Sequence, residues 1–440
     1  MTSPEHDLDE LLRSVDDDRL MPPDGAFERI VGRAQRRKAA KAALAVLAVA
    51  VVVAGAVPAV LAVRDTSSDQ TVAIATNGSD SPHPRSSTLT APPVTRPIPG
   101  LVGYFPRSVS FVSQRDGFLW GTVAGSRPAT TAAHGVVAVT HDGGATWTPA
   151  GGPPVSAVAE PQIRFASPAV GVVFGGSQPY VTTDGGSTWH RYAVPGHLSE
   201  LEAMNQRIWA LVRPSAGASV VRLYGASVAA PKLRRVGAVP AMTGRRGGTD
   251  GATGAAAIAL SGRSVSVLVG DDAFWTSPNA KRWTRGHNPC PKTLGGRPVV
   301  PASTLLAAGS SSSLVAACGY GARNGVQTKL VYESSSAGKR WSPASRPPTG
   351  GYLETITAGS RTIIIGNSRG GAVLTRNNGH TWQPDPANHV DLSFVGFIDT
   401  SHVVAVADRA DEEVGAFASS TDGARQWSVV PFPCAKSCPN

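Results

Sequence analysis

The residues of this 440-residue sequence that are best suited to chemistry are its carboxylates and its four cysteines. Two carboxylates across a scissile bond can hydrolyse glycosides, and cysteines in an oxidising compartment form disulfides. Three aspartates, Asp142, Asp184 and Asp422, share one local context: each follows a Ser or Thr by two residues and precedes a Trp by five. Since a short Asp side chain accepts hydrogen bonds from the backbone amides that follow it, this context indicates structural turns and not catalysis.

One octapeptide carries these aspartates and recurs along the chain. Its fullest copies are Thr140–Trp147 and Thr182–Trp189, and weaker copies end at four later tryptophans. The tryptophans recur roughly every 40 to 60 residues, apart from one interval about twice as long, in which Ala226–Leu233 fits as a degenerate copy. We therefore predict seven units. The predicted structural turn residues are Asp142, Gly144, Trp147, Asp184, Gly186, Trp189, Trp283, Trp341, Asn377, Gly379, Trp382, Asp422 and Trp427.

Written as Ser/Thr-x-Asp-x-Gly-x-Thr-Trp, the octapeptide resembles the Asp-box, or BNR repeat, of sialidases, sortilin-type receptors and photosystem II assembly-factor-like propellers. The repetition carries the resemblance, because the later copies lose the Asp or the Gly. It implies a β-propeller in which each box is a turn between two strands. The style of the sequence is similar to that of a non-enzymatic, membrane-anchored member of actinobacterial type.

Short apolar runs around each copy predict the strands that position the turns. Gly135–Val139 precedes the first copy, and Ser108–Val112 and Gly117–Gly121 come earlier in the same unit. Each unit therefore holds four strands, the content of one propeller blade. The 48 Gly and 35 Pro residues disfavour a helical protein. We predict an all-β fold, a seven-bladed β-propeller over residues 101–440, preceded by a single transmembrane helix.

The cysteines predict crosslinks in the propeller. Cys290 follows the fourth copy and Cys318 lies on a strand of the next unit, so a disulfide between them would pin a crossover between blades. Cys434 and Cys438 could close a small C-terminal loop, and free buried thiols are the alternative. Zinc is disfavoured because neither pair has a nearby His-x-His partner. We predict no metal and no cofactor.

Three regions precede the propeller. Residues 1–41 are a predicted cytoplasmic tail that ends in a basic juxtamembrane helix, and residues 42–63 lack charge and are long enough to cross a bilayer. The basic flank places the N-terminus in the cytoplasm. Residues 64–100, rich in Pro, Ser and Thr, predict a disordered stalk. The predicted localisation is the cell membrane, single-pass, with the propeller extracytoplasmic; a cleaved signal peptide is the alternative.

The predicted function is a binding or scaffold module for a protein or a cell-envelope polymer, without nucleic acid. Ligand binding is expected on the face opposite the boxes, in the loops 124–134, 213–219, 240–254, 286–303, 319–327 and 407–414. Two alternatives remain: an exported, sialidase-like glycosidase, and a transmembrane sensor whose tail binds a regulator. A sialidase needs an arginine triad and usually shows a Phe-Arg-Ile-Pro run. Neither Arg96–Pro99 nor Ile163–Phe165 matches that run, so the sequence favours a non-enzymatic role.

Overall fold

The computed structural model describes residues 89–90, 100–123, 135–154, 161–175, 178–215, 218–243, 256–270, 272–323, 326–348, 350–367, 371–384, 391–409 and 414–432. These residues form strands, turns and loops, and none of them forms a helix that could cross a membrane. The predicted tail, the predicted transmembrane helix, most of the predicted stalk, Cys434 and Cys438 lie outside the described residues.

Seven antiparallel sheets follow one another along the chain, as predicted, and each is a blade. Blade 1 contains β2 (Tyr104–Phe111), β3 (Gly117–Val123), β4 (Val136–Thr140) and β5 (Thr148–Pro149), after a two-residue strand, β1 (Leu89–Thr90). Blade 2 contains β6 (Gln162–Phe165), β7 (Gly171–Phe174), β8 (Tyr180–Thr182) and β9 (His190–Arg191). Blade 3 contains β10 (His197–Met204), β11 (Arg207–Arg213), β12 (Val220–Ser227), β13 (Ala230–Arg235) and β14 (Met242–Thr243).

The remaining blades repeat this order. Blade 4 contains β15 (Ala256–Ser261), β16 (Ser264–Val269), β17 (Ala273–Ser277) and β18 (Thr284–Gly286), followed by a small hairpin of β19 (Thr293–Leu294) and β20 (Arg297–Pro298). Blade 5 contains β21 (Pro301–Ala308), β22 (Leu314–Arg323) and β23 (Val326–Ser334). Blade 6 contains β24 (Leu353–Ala358), β25 (Ile363–Asn367), β26 (Val373–Thr375) and β27 (Gln383–Pro384). Blade 7 contains β28 (Asp391–Phe397), β29 (Val403–Arg409), β30 (Val414–Ser420) and β31 (Trp427–Pro431).

The first strands of the blades form the inner wall of a closed ring. Each contacts the first strand of the next blade, and β2 contacts both β6 and β28. The hydroxyls of Ser108 and Ser110 accept the backbone N–H groups of Ile163 and Phe165 at 3.1 and 2.8 Å. Both partners advance by two residues, so β2 and β6 run in the same direction. We call the face with the third-to-fourth-strand turns the turn face, and the opposite face, with the blade connections, the loop face.

The apolar core lies between the blades. Trp147 of blade 1 is 2% exposed and makes edge contacts with Phe111 of its own blade and Phe417 of blade 7. Trp283 of blade 4 packs in the same way on Trp209 of blade 3. The octapeptide tryptophans therefore pack against the preceding blade, and these contacts attach each turn to the ring.

Three blades depart from the repeat. In blade 3, β12 and β13 join through a tight hairpin, and Leu233 lies inside β13 instead of ending a turn, although it still packs against blade 2. In blade 4 the turn is one residue shorter than the octapeptide aligned from Thr276, so that Ser277 and Asn279 take the Ser/Thr and Asp places. Blade 5 has an irregular segment, with Ser345 paired to Val331, in place of a fourth strand, because its prolines cannot donate ladder hydrogen bonds.

The strand β1 belongs to the segment predicted as a stalk. Its residues, Leu89–Thr90, pair in parallel with Trp427 and Ser428 of β31. The outer edge of blade 7 is thus extended by a part of the chain that precedes blade 1.

Candidate functional site

The octapeptide aspartates are engaged in their own turns. The Thr182 hydroxyl donates to Asp184 Oδ1 (2.8 Å) and accepts the N–H of Gly186 (2.9 Å), while both the amide and the hydroxyl of Thr188 donate to the Asp184 carboxylate at 2.9 and 2.6 Å. These bonds, led by that from the Thr188 hydroxyl, lower the pKa of Asp184 to about 2. The carboxylate is therefore a fixed acceptor at neutral pH.

The same bonds recur in three other blades. In blade 1 the amide and hydroxyl of Thr146 donate to Asp142, and in blade 7 the amide of Gln426 donates to Asp422. In blade 6, Asn377 takes the place of the Asp and accepts the amide of Thr381 at 2.9 Å. The bonds that these side chains make are to residues of their own turns, which indicates a structural role.

Glycine meets two needs at one place in the turns of blades 1 and 6, a place that Ala424 fills in blade 7 with φ +66°. Gly144 has φ +94°, and a Cβ there would lie 2.2 Å from the Phe417 ring of blade 7. Gly379 of blade 6 has φ +71° and a Cβ would lie 2.8 Å from Glu333 and from Ser345 of blade 5. Both the backbone conformation and the close approach exclude a side chain.

A channel runs along the ring axis and forms a concave site among the described residues. The first strands of all seven blades line it, and its volume is about 600 Å³. Most of the lining is apolar or small. The charged residues in the lining are Arg107, Arg164, Glu200, Glu202 and Glu354. A cavity that carries a few convergent charged groups is typical of a binding site.

Two of these side chains occupy β-bulges. The pairing of β2 with β3 shifts between Pro106 and Ser108, so Arg107 is the extra residue, and β24 carries the same shift around Glu354. Shifts also occur toward the starting ends of β10, β21 and β28. Since a bulge re-aims its side chain, and both Arg107 and Glu354 are exposed, they face the channel toward the loop face.

Arg164 crosses the inner wall below this level. Its side chain is only about 10% exposed, and Nε donates to both carboxylate oxygens of Glu202 at 2.9 and 3.0 Å. Nη1 donates to the Ile163 carbonyl at 2.9 Å and Nη2 to Gln162 at 2.9 Å. The guanidinium carbon lies 5.0 Å from the ring centre of Phe394 in blade 7. One guanidinium therefore links blades 2, 3 and 7 across the channel.

Glu200 precedes Glu202 on the same strand and faces the same channel. Burial, and then the negative charge of Glu202, raise the pKa of Glu200 to about 8, while Arg164 acts in the opposite sense. The Glu200 carboxyl also accepts the Leu201 amide at 3.0 Å. At neutral pH the channel therefore presents the Arg164–Glu202 salt bridge beside the largely protonated carboxylic acid of Glu200.

The predicted disulfide between Cys290 and Cys318 is confirmed. Their Cα atoms are 5.8 Å apart, and the Tyr320 hydroxyl donates to the Pro291 carbonyl at 3.1 Å beside them. The bond ties the connection between blades 4 and 5, which carries the β19–β20 hairpin, to the second strand of blade 5. It stiffens the loop face next to the channel mouth.

Comparison with known proteins finds no matching family model and no matching curated protein. Three solved structures illustrate what the fold is similar to. YCF48 bound to a D1 peptide has 13% identity over 77% of this chain and 99% of that chain, with a TM-score of 0.46. An ulvan lyase of polysaccharide lyase family PL25 has 11% identity over 76% of this chain and 97% of that chain, with a TM-score of 0.46. The GH74 enzyme of Niastella koreensis has 13% identity over 74% of this chain and 63% of that chain, with a TM-score of 0.29. The assignment of seven blades rests on the sheet topology.

The charged residues of the channel are not among the site residues predicted from the sequence. Ile163–Phe165 does not match the sialidase run, and yet its central arginine contacts Glu202 of blade 3 and Phe394 of blade 7. The signal was present: Arg164 and the Glu200-x-Glu202 pair interrupt inner strands that are otherwise apolar or small. Their meeting in space depends on ring closure, which local patterns do not encode.

Proposed function

We propose that this protein is an Asp-box propeller that works as a membrane-anchored, extracytoplasmic binding or scaffold module. Its ligand, a protein segment or a cell-envelope polymer, enters the axial channel from the loop face. The turn chemistry described above supports the Asp-box assignment. The uncharged segment 42–63 and its basic flank support the anchor.

The observation that carries the binding role is the charged lining of the channel. Arg107 and Glu354 are exposed at bulges near the mouth, and Arg164 with Glu202 form a fixed pair deeper in. A rigid ring holds these groups in place before the ligand arrives, so little entropy is lost on binding. Their mixed charge fits a ligand with both donors and acceptors, such as an extended peptide or a polar polysaccharide.

Site-specific photo-crosslinking tests this role. A photoreactive side chain is placed at Arg107 or at Glu354, and, as the matched control, at exposed Ser187 on the turn face, in the full-length chain within its own membranes. Adducts of one defined mass from both channel positions, without that adduct from Ser187, are the expected result. Equal labelling from Ser187, or no adduct from either channel position, would refute the channel as the binding site.

One observation favours a second candidate function, an exported glycosidase. Glu200 and Glu202 lie two residues apart on one strand, and their environments differ: one is largely protonated and the other is paired with Arg164. A protonated acid near a carboxylate is the arrangement used in glycoside hydrolysis. Fluorogenic glycosides separate the two proposals, since hydrolysis that disappears in Glu200→Gln supports the enzyme, whereas an inactive wild-type protein rejects it.

The anchor has its own test. Immunoblotting of the membrane fraction for an epitope at the N-terminus should detect the intact chain, and protease added to spheroplasts should remove the propeller and leave residues 1–41. A mature chain that begins near Val57 would instead identify the segment as a cleaved signal peptide.

A further inference from the structure

The turn face has an uneven charge distribution that the channel does not explain. In blades 4 and 5 the two residues before the octapeptide tryptophan are both Lys-Arg: Lys281-Arg282 and Lys339-Arg340. Together with Arg285 on the outer strand β18 they form a set that we call the cationic sector. All five side chains are exposed.

The two blades bring these side chains close together. The turn of blade 5 sits directly on the outer strand of blade 4: a Cβ on Gly286 would lie 3.0 Å from the Gly338 carbonyl, and a Cβ on Gly338 would lie 2.1 Å from the Phe274 ring. Lys339 and Arg340 follow Gly338 directly, and Arg285 precedes Gly286. The backbone that carries Lys339 and Arg340 therefore lies next to the strand that carries Arg285.

The turns of the same two blades lack the Asp that the turns of blades 1, 2 and 7 carry. The Asp of blades 1, 2 and 7 is replaced by Asn279 in blade 4 and Ser336 in blade 5, which take over its role as acceptor for backbone amides. Among the described residues 197–351 the acids are Glu200, Glu202, Asp272 and Glu333. The two channel glutamates lie at the axis, Asp272 lies toward the loop face, and Glu333 faces Gly379 of blade 6.

No ion pair neutralises the cationic sector within the part of the chain that the structure describes. Five uncompensated, exposed charges on two adjacent blades repel one another, and an anionic ligand with several charges would relieve that repulsion. The exposed large hydrophobic residues among those described are Met204, Val326 and Tyr352, all outside the sector. The tryptophans that follow the two Lys-Arg pairs, Trp283 and Trp341, pack against Trp209 and Phe274 of the preceding blades, so the sector offers no fully exposed apolar side chain for insertion into lipid.

We propose that the cationic sector binds a soluble linear polyanion, one whose repeating unit carries a phosphate or a carboxylate. Guanidinium groups bind either anion with two parallel hydrogen bonds, and lysines add charge without fixed geometry. A linear polymer can follow the row of turn tips from blade 4 to blade 5. The site lies on the turn face, so it is separate from the axial channel and does not depend on the function proposed for it.

Inorganic polyphosphate is the probe for this site, measured by fluorescence polarisation with the purified full-length chain in detergent at 50 mM salt. The quadruple variant Lys281→Gln, Arg282→Gln, Lys339→Gln, Arg340→Gln should weaken binding at least about tenfold, because counterion release falls with each lost contact. A charge-preserving variant, Lys281→Arg with Lys339→Arg, should bind as the wild type does. Since all four side chains are exposed, the variants should keep the wild-type melting temperature.

Matched controls distinguish a site from general attraction. A Lys339→Gln, Arg340→Gln double variant should weaken binding several-fold, whereas Arg361→Gln, Arg425→Gln, which removes the same charge from the turn face of blades 6 and 7, should change it less than about twofold. Equal losses in the two double variants would overturn the proposal. The proposal would also be overturned if the wild-type protein did not bind polyphosphate. Binding of phosphatidylglycerol vesicles to the sector, without binding of polyphosphate or polyglutamate, would overturn it as well.

Discussion

Replacing Glu200 by Gln should stabilise the propeller at high pH and have much less effect at low pH. Glu200 faces the channel near the Arg164–Glu202 pair, and its pKa rises from 4.5 to about 8 on folding. Between these values the folded protein holds a proton that the unfolded chain has released. Stability therefore falls as the pH rises from 4.5 to 8 in the wild type. Gln cannot ionise and still offers an oxygen to the Leu201 amide, so the variant lacks this loss.

The size of the effect follows from the pKa shift. One pKa unit corresponds to about 1.4 kcal/mol, so the whole shift would be worth about 5 kcal/mol. Because the Glu200 side chain is partly exposed to solvent, we expect a loss of stability of less than half of this, about 2 kcal/mol. An unfolding entropy of about 2.1 cal/mol/K per residue over roughly 330 residues converts 2 kcal/mol into a change in melting temperature of about 3 °C.

The measurement is differential scanning calorimetry of both proteins at pH 5 and pH 8.5. The difference in melting temperature, Glu200→Gln minus wild type, should be about 3 °C more positive at pH 8.5 than at pH 5. Asp184→Asn is the control, because the pKa of Asp184 is lowered to about 2: it is ionised in both states above pH 5, so its variant should show the same difference at both pH values. An equal difference for Glu200→Gln at the two pH values would refute the reasoning.

Three further predictions concern the turns and the disulfide. Asp142→Ala removes the acceptor of the two Thr146 bonds and should lower the free energy of unfolding in urea by about 1 kcal/mol. Asp142→Asn should lower it by less than half of that, since Asn377 fills this place in blade 6. Equal losses in the two variants would contradict the assigned bonds. Trp147→Ala leaves a cavity in a site that is 2% exposed and should cost about 3–5 kcal/mol. Replacing the half-buried Trp341 by Ala should lower the free energy of unfolding clearly less. The reverse order would contradict the packing role assigned to Trp147. The double variant Cys290→Ser, Cys318→Ser opens a loop of sequence separation 28 and should lower the free energy of unfolding by about 3–4 kcal/mol. Wild type reduced with dithiothreitol should have the same stability as the variant. A variant as stable as the oxidised wild type would contradict this prediction.

The sequence predicts the blades well because each blade is a local unit. The octapeptide marks a turn through side-chain bonds within eight residues. The tryptophan that ends it is fully buried in blades 1 and 7 and partly buried in the other blades that have one. Where this local code weakens, the details differ: Ser277 replaces Thr276 as the turn residue of blade 4, and Leu233 lies within a strand. Both changes leave the count of blades intact, because packing between blades fixes it.

The channel could not be predicted in the same way. Arg107 and Glu354 lie far apart in the chain, and only ring closure brings them to one mouth. Their exposure depends on bulges that shift the strand register by one residue, a feature without a clear sequence signature. The pKa of Glu200 likewise depends on the burial and the charges that the folded ring creates. Chemistry that spans several blades follows from tertiary structure and not from the repeat.

The order of the strands has a consequence for how the ring is built. Strands β2 to β31 fill the seven blades in sequence, and no blade among the described residues takes a core strand from a distant one. Each blade can therefore acquire its hairpins while the next is still being synthesised, since its contacts are local and form early. The seam between blades 7 and 1, where Trp147 and Phe111 meet Phe417, can close only when the last blade is complete. The addition of Leu89–Thr90 to β31 bridges the same seam, so a newly made chain would remain an open arc until this final step joins its ends.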